Sequence, residues 1–329
     1  MSTPPSKRPG ASASPGAFAS PGASASPGVF ASPGVFASPG AFTRELERRL
    51  HGDDRFDYAG IARRRQTLVF ERFLARIAAI FGDGVTLKGT LVLGYRLDDA
   101  PSPRELKLSI AREEQHLLAK VRDAGRLDLS DFLGFEVERG RPSTEDDDTP
   151  WSEHHFRIVP QLAGRAYARP FGVELSFDTP SVGAPELVTG DDVLDFAGIT
   201  PPTLRLYPIG AHVAETFHAY TLPRARPHAN LRDLPELALL ASAQSLDARS
   251  LREALQRTFE LRDTHPLPDH VPDPPAAWLH HYEAFARAER LPWAELDAMS
   301  EAVHRFLDPV LGGDFDATWD PEAWTFQPN

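Results

Sequence analysis

The sequence predicts an α/β first half, built on a mixed sheet with flanking helices, followed by a helical C-terminal region. Helical and strand-like segments alternate between about residues 44 and 205, whereas from His212 onward nearly every segment is helical. The N-terminus stands apart, because Ser-Pro-Gly recurs there with a six-residue period. We predict four parts: a disordered repeat tail over 1–43, an α/β core over 44–205, a helical region over 206–311 and an irregular tail over 312–329.

The repeat tail carries proline and glycine in every unit, which disfavours both a helix and a sheet ladder. Phenylalanine occupies the same place in four of the units, at Phe18, Phe30, Phe36 and Phe42. We favour a neutral repeat expansion. The alternative is an interaction module in which these spaced phenylalanines dock on a partner.

The α/β half begins with a short charged helix, predicted over 44–51, and a longer one over 58–81. In the longer helix, apolar residues recur at i, i+3, i+4 and i+7, and Gly82 ends it. The remaining elements are a strand, glycine turn and helix over 85–97, a strand over 105–110, a helix over 112–124, an acidic loop over 140–150 and strands over 156–159 and 171–177.

The second half follows a proline-rich connection that reaches about Pro208. Helices are predicted over 210–221, 232–243, 248–262, 276–290 and 294–308. The last segment, 312–329, carries Trp319 and Trp324 but no clear periodicity.

Composition excludes several classes of protein. The chain has 329 residues, no cysteine and a net charge of −12. It therefore has no disulfide-linked partner and no thiolate site, and its charge argues against broad nonspecific binding of nucleic acid. No apolar run is long enough to span a membrane, and we expect a cytoplasmic protein.

The segment around Gly89 and the strand that follows it carry the most specific pattern. Val85 to Thr90 reads as a strand entering a tight glycine turn, a shape that lets backbone N–H groups approach phosphates. Glu105 and Lys107 fall on one face of the next strand, because strand side chains alternate. Carboxylates at such i, i+2 positions, with a third from a neighbouring strand, would hold a divalent metal for nucleotidyl transfer.

An ordered set of motifs resembles the AbiEii nucleotidyltransferase toxins over about residues 60–310. The motifs are Leu87-Lys88-Gly89-Thr90, Arg104-Glu105-Leu106-Lys107-Leu108, Leu162-Ala163-Gly164-Arg165, Val173-Glu174, Asp195-Phe196-Ala197-Gly198-Ile199, the run from His212 to Thr221, and Arg232-Asp233-Leu234. The resemblance implies the nucleotidyltransferase fold of the DNA polymerase β-like superfamily. It also implies a toxin of a bacterial toxin–antitoxin or phage-defence module, with an antitoxin partner, that transfers a nucleotide from an NTP to RNA, tRNA included, with Mg²⁺.

The same resemblance assigns roles to individual residues. Glu105, Lys107 and Glu174 fall at the three carboxylates of the catalytic centre, so Glu105 and Glu174 would hold metal. Lys88, Gly89 and Thr90 fall at the phosphate turn, and Arg232 and Asp233 match a basic–acidic pair near the nucleotide. Thr216 stands where the family helix carries a lysine.

Lys107 reverses the charge expected at the second carboxylate. We predict that it forms a structural ion pair with Glu105 or Glu174 across the sheet. Alternatively its ammonium contacts a phosphate and replaces one metal. The ion-pair interpretation implies a degraded metal site, so a second hypothesis is a catalytically inactive descendant that binds nucleotide or protein.

His154 and His155 invite a metal interpretation. Adjacent residues on a strand point in different directions, and no acidic ligand stands at a known spacing from them. We predict that both histidines lie on a solvated surface.

Overall fold

The computed structural model describes residue 36 and residues 38–52, 58–97, 100, 103, 105–111, 115–140, 154–177, 183–223, 231–313 and 315–329. The first half contains α1 (Pro39–His51), α2 (Tyr58–Phe81), β1 (Val85–Lys88), α3 (Thr90–Gly94), β2 (Glu105–Ile110), α4 (Leu117–Arg126), β3 (Leu133–Arg139), β4 (His154–Leu162), β5 (Arg165–Ala166), β6 (Phe171–Phe177), β7 (Glu186–Thr189) and β8 (Thr203–Leu206). The second half contains α5 (Ile209–Thr221), α6 (Asp233–Ala243), β9 (Leu246–Asp247), α7 (Ala248–Arg262), α8 (Leu279–Glu289), α9 (Leu296–Gly312), β10 (Ala317–Asp320) and β11 (Thr325–Pro328).

A mixed eight-stranded sheet forms the centre of the first half. Its order is β3-β4-β6-β2-β1-β8-β7, and β5 pairs with β4. The β2–β6 and β1–β8 pairs are parallel, whereas the other pairs are antiparallel. The predicted mixed sheet with flanking helices is therefore confirmed.

Helix α2 covers one face of this sheet with its apolar side. Phe70 packs edge-to-face on Phe171, and Phe73 packs on Phe135, with ring centroids 4.9 and 5.2 Å apart. The residues of β2 and β6 that point this way, such as Leu106 and Val173, are buried. Their neighbours along the strands consequently point to the opposite face, toward the second half.

Two hydrophobic clusters organise the packing. One extends from Phe42 to Leu206, and the other joins the helices from Ile209 onward with the C-terminal strands. Leu93 and Leu97, beside the short α3, belong to the second cluster. The segment after Gly89 therefore connects the sheet to the helices. The division of the chain into domains stays a prediction.

The predicted spans 58–81, 105–110, 171–177 and 248–262 are confirmed by α2, β2, β6 and α7. Helix α1 begins at Pro39 and not at residue 44, because Ser38 accepts a hydrogen bond from the Ala41 amide and Phe42 is buried. The last segment, predicted to be irregular, instead forms β10 and β11, which pair with each other and with β9. The sequence also missed the strands β3, β5, β7, β8 and β9.

Most of the repeat tail and of the acidic loop lies outside the described residues. No helix within the described ranges has the length and apolar character that crossing a membrane requires.

Candidate functional site

A row of polar side chains crosses four neighbouring strands on the sheet face that α2 leaves open. Lys88 of β1 is directly opposite Lys107 of β2, Lys107 is opposite Glu174 of β6, and Glu174 is opposite His155 of β4. Directly opposite residues project to the same face of a sheet. The fold thus brings together Lys107 and Glu174, which lie far apart in sequence.

Lys107 forms the ion pairs predicted from the sequence. Its Nζ lies 3.2 Å from Glu174 Oε2 and 3.6 Å from Glu105 Oε1. On the other side of Glu174, His155 Nε2 lies 3.9 Å from the same oxygen. The ion pairs predicted for Lys107 are therefore present, and its role stays a prediction. The side chain of His155 is only 13% exposed, so the predicted solvated surface was wrong for this residue.

The ammonium of Lys107 stays charged. Burial acts to lower its pKa, but the carboxylates of Glu174, Glu105 and Glu236 outweigh that effect and raise the pKa above its ordinary value. The Lys107 side chain is nevertheless 45% exposed to solvent. Lys107 therefore has carboxylates close to its ammonium and also has open access to solvent.

The glycine turn lies directly over Lys107. Gly89 has φ +70°, and a Cβ added there would come within 3.1 Å of Lys107 Cδ and 3.3 Å of Lys107 Cγ. Gly89 is therefore required both by its backbone conformation and by the lysine stem beneath it. Thr90 follows as the first residue of α3 and is half-buried. The predicted phosphate turn and the predicted metal-site position are thus in contact.

Glu236 was missed by the sequence reasoning, although it belongs to the same charged group. It lies in the first turn of α6, and His212 Nε2 of α5 is 3.0 Å from its Oε1. Burial acts to raise the pKa of Glu236, but His212, Lys107 and Arg232 together lower it. The sequence signal that could have identified Glu236 is its position three residues after Asp233. Residues at this spacing lie on the same face of a helix, one turn apart. We call Glu105, Lys107, Glu174 and Glu236 the charged cluster.

Lys88, on the same face of the sheet, forms its ion pair with α5. Its Nζ lies 2.6 Å from Glu215 Oε2 and 4.2 Å from the centre of the Tyr207 ring. The Tyr207 hydroxyl donates to Glu215 Oε1 at 2.8 Å, and Arg262 Nη2 lies 3.6 Å from the same oxygen. Burial opposes ionisation of Glu215, but Lys88 and Arg262 overcome it and lower the pKa of this carboxyl. Lys88 therefore joins the sheet to the helices.

The remaining predicted residues lie around this group. Arg232 precedes α6, where its Nη2 is 3.1 Å from Glu289 Oε1 and its guanidinium lies over the Phe285 ring. Asp233 is the first residue of α6. Thr216 is buried in α5, beside Glu215 in sequence.

The donor set does not fit the divalent metal that the resemblance implies. Mg²⁺ prefers several carboxylate or water oxygens, and here an ammonium lies within ion-pair distance of two of the carboxylates. Among the described residues, no group of three or more Asp, Glu or His has an arrangement that would hold a metal ion. Glu105 and Glu174 instead hold Lys107.

The fold is similar to that of a solved nucleotidyltransferase toxin. MenT4, a nucleotidyltransferase toxin from Mycobacterium tuberculosis, is 16% identical with a TM-score of 0.51, over 88% of this chain and 93% of its own. JHP933 from Helicobacter pylori is 16% identical with a TM-score of 0.41, over 74% of this chain and 94% of its own. No curated protein matches the chain.

A family model provides the assignment. The model described as "Nucleotidyl transferase AbiEii toxin, Type IV TA system" matches residues 72–323, which is more than half of the chain. The match includes the glycine turn, all of the charged cluster and the helices that contact it. The chain belongs to the AbiEii nucleotidyl transferase toxin family of type IV toxin–antitoxin systems.

Proposed function

We propose that this protein is the toxin of a cytoplasmic toxin–antitoxin module, with a role in phage defence, and that it transfers a nucleotide from an NTP to RNA. The observation that carries the proposal is the contact between the Gly89 turn and Lys107, since it brings two separate sequence motifs together. Family membership supports the reaction type. RNA, tRNA included, is the acceptor class that the resemblance suggests.

In this proposal, Gly89 and Thr90 face the phosphates and Arg232 contacts the nucleotide. The acceptor hydroxyl attacks the α-phosphorus, the bond from that phosphorus to the bridging oxygen breaks, and pyrophosphate leaves. The hydroxyl proton passes to a carboxylate of the charged cluster. No step is assigned to Mg²⁺, because the donor set around Lys107 does not fit it.

A catalytically inactive descendant is the second candidate. The observation in its favour is the pairing of Lys107 with Glu174 and Glu105, because these ion pairs occupy both carboxylates. Such a protein would bind nucleotide or a partner protein without transfer.

Incubation with each radiolabelled NTP and total RNA, with and without Mg²⁺, separates the two candidates. The proposal expects label in RNA with the wild-type protein and growth inhibition that a co-expressed antitoxin relieves. The inactive alternative expects neither, and expects both to appear in the double variant K107D/T216K.

Because Thr216 is buried, the thermal unfolding of the double variant must be measured beside K107D alone. Absence of transfer by the wild type and by folded variants would contradict the proposed reaction.

A further inference from the structure

The charged cluster contains its own cation. Lys107 lies within ion-pair distance of Glu174 and Glu105, and Glu236 acts on it electrostatically from α6. The carboxylates come from three different elements, β2, β6 and α6. The two strand carboxylates, Glu105 and Glu174, hold this ammonium as carboxylates hold a metal ion.

The position of this ammonium is restrained by the fold. The β2–β6 register sets Lys107 directly beside Glu174. The Gly89 turn covers the aliphatic stem, with Lys107 Cβ, Cγ and Cδ between 3.1 and 3.4 Å from the place of a Gly89 Cβ. A side chain confined at both its stem and its head keeps its charge in the cluster.

We infer that Lys107 is a resident cation, which excludes divalent metal from the charged cluster of the wild-type protein. Metal beside these carboxylates would lie close to the ammonium, and like charges repel strongly at short range. K107D removes that repulsion and adds a carboxylate beside Glu105 and Glu174, and carboxylate oxygens are ligands that suit Mg²⁺ or Mn²⁺. The inference does not depend on the proposed transfer reaction.

Mn²⁺ titration tests the inference directly, with free Mn²⁺ measured by electron paramagnetic resonance. K107D is expected to bind one Mn²⁺ at least about tenfold more tightly than the wild type, because a charge is reversed at short range. K107Q, which only removes the charge, is expected to fall between them. K120Q makes the same charge change on α4, away from the cluster, and should match the wild type.

Two further measurements make the result decisive. The double variant K107D/E174Q should lose the gained site, which separates cluster binding from weak binding elsewhere on an acidic protein. Thermal unfolding of each variant should be measured with and without Mn²⁺. Mn²⁺ should raise the melting temperature of K107D but not that of K107D/E174Q. If K107D does not fold, the Mn²⁺ affinity of K107Q is compared with that of K120Q.

Tight binding of one Mn²⁺ by the wild type would overturn the inference. So would a folded K107Q and K107D that bind no more tightly than K120Q. Neither result would decide whether the wild type transfers nucleotide to RNA, because cation binding is measured without NTP or RNA.

Discussion

At the scale of single residues, Glu71 of α2 is a buried carboxyl that links three segments. It accepts hydrogen bonds from the Tyr95 hydroxyl at 2.8 Å and from the Asp191 amide at 2.9 Å. Gly190 fits tightly beside it, since a Cβ there would lie 2.8 Å from Glu71 Oε2. Burial raises the pKa of Glu71 to about 7, although both hydrogen bonds act in the opposite direction.

This carboxyl makes stability depend on pH with a definite sign. Between its ordinary pKa of 4.5 and about 7, the folded protein holds a proton that the unfolded chain releases. The stability that results is fully present below the lower value and is lost as pH rises through the higher one, by up to roughly 3 kcal/mol. Urea unfolding at about pH 5 and about pH 8 should show a larger loss for the wild type than for E71Q. Equal losses would contradict this assignment.

Asp131 is the anion between two buried arginines. Its carboxylate oxygens lie 2.6 Å from Arg76 Nη2 and 2.7 Å from Arg72 Nε. D131N leaves both guanidinium groups buried with a neutral partner, so the free energy of unfolding should fall by about 3–5 kcal/mol. E301Q breaks the exposed pair with Arg305 and should cost less than about 1 kcal/mol in the same urea assay. If D131N and E301Q lowered the free energy of unfolding by similar amounts, Asp131 would not be the essential partner of the two buried arginines.

At the scale of elements, α1 attaches the end of the repeat segment to the sheet. Phe42 is fully buried, and its ring lies 5.2 Å from Phe132 and 5.4 Å from Phe196. Phe36 occupies the same place in the preceding repeat unit but is only partly buried. F42A should lower the free energy of unfolding by about 3–5 kcal/mol and F36A by less than half as much. Calorimetric unfolding measures both, and a negligible effect of F42A would show that α1 does not dock.

Elements with a long local pattern were predictable from sequence, whereas those defined by their neighbours were not. The apolar repeat of α2 runs from Phe70 to Phe81, about three turns, so its period identifies the helix without tertiary information. The edge strand β7 has an exposed, four-residue span with little alternation. Trp319 is fully buried because its indole donates to the Ala241 carbonyl at 2.8 Å and packs on α9, a contact that no local pattern indicates.

The candidate site likewise contains residues that the sequence predicted and one residue that it did not. The i, i+2 spacing of Glu105 and Lys107 placed them on one face, and the ion pair with Glu174 followed from sheet pairing. The approach of Gly89 to Lys107 and the arrival of Glu236 depend on how β1 pairs and where α6 packs. Contacts of that kind are set by tertiary structure, so single-sequence reasoning found the strand residues and missed the helix residue.

At the scale of the whole molecule, the first half is joined to the second where β1 carries Lys88 and α5 carries Glu215. The ion pair of Lys88 with Glu215 crosses this junction, and Tyr207 and Arg262 surround the same carboxylate. The sequence assigned Lys88 to phosphate. Its contacts in the folded chain also connect the sheet to the helices, and this connection requires no ligand.

A double-mutant cycle measures this connection. K88M and E215Q should each lower the free energy of unfolding by roughly 1–3 kcal/mol, because each leaves a partly buried charge without its partner. The double variant should lose less than the sum, with a coupling of roughly 1–2 kcal/mol in the absence of nucleotide. K120M on α4 controls for the loss of a lysine and should have little effect. Additive losses in the cycle would mean that Lys88 and Glu215 act independently, and that their ion pair does not hold the sheet to the helices.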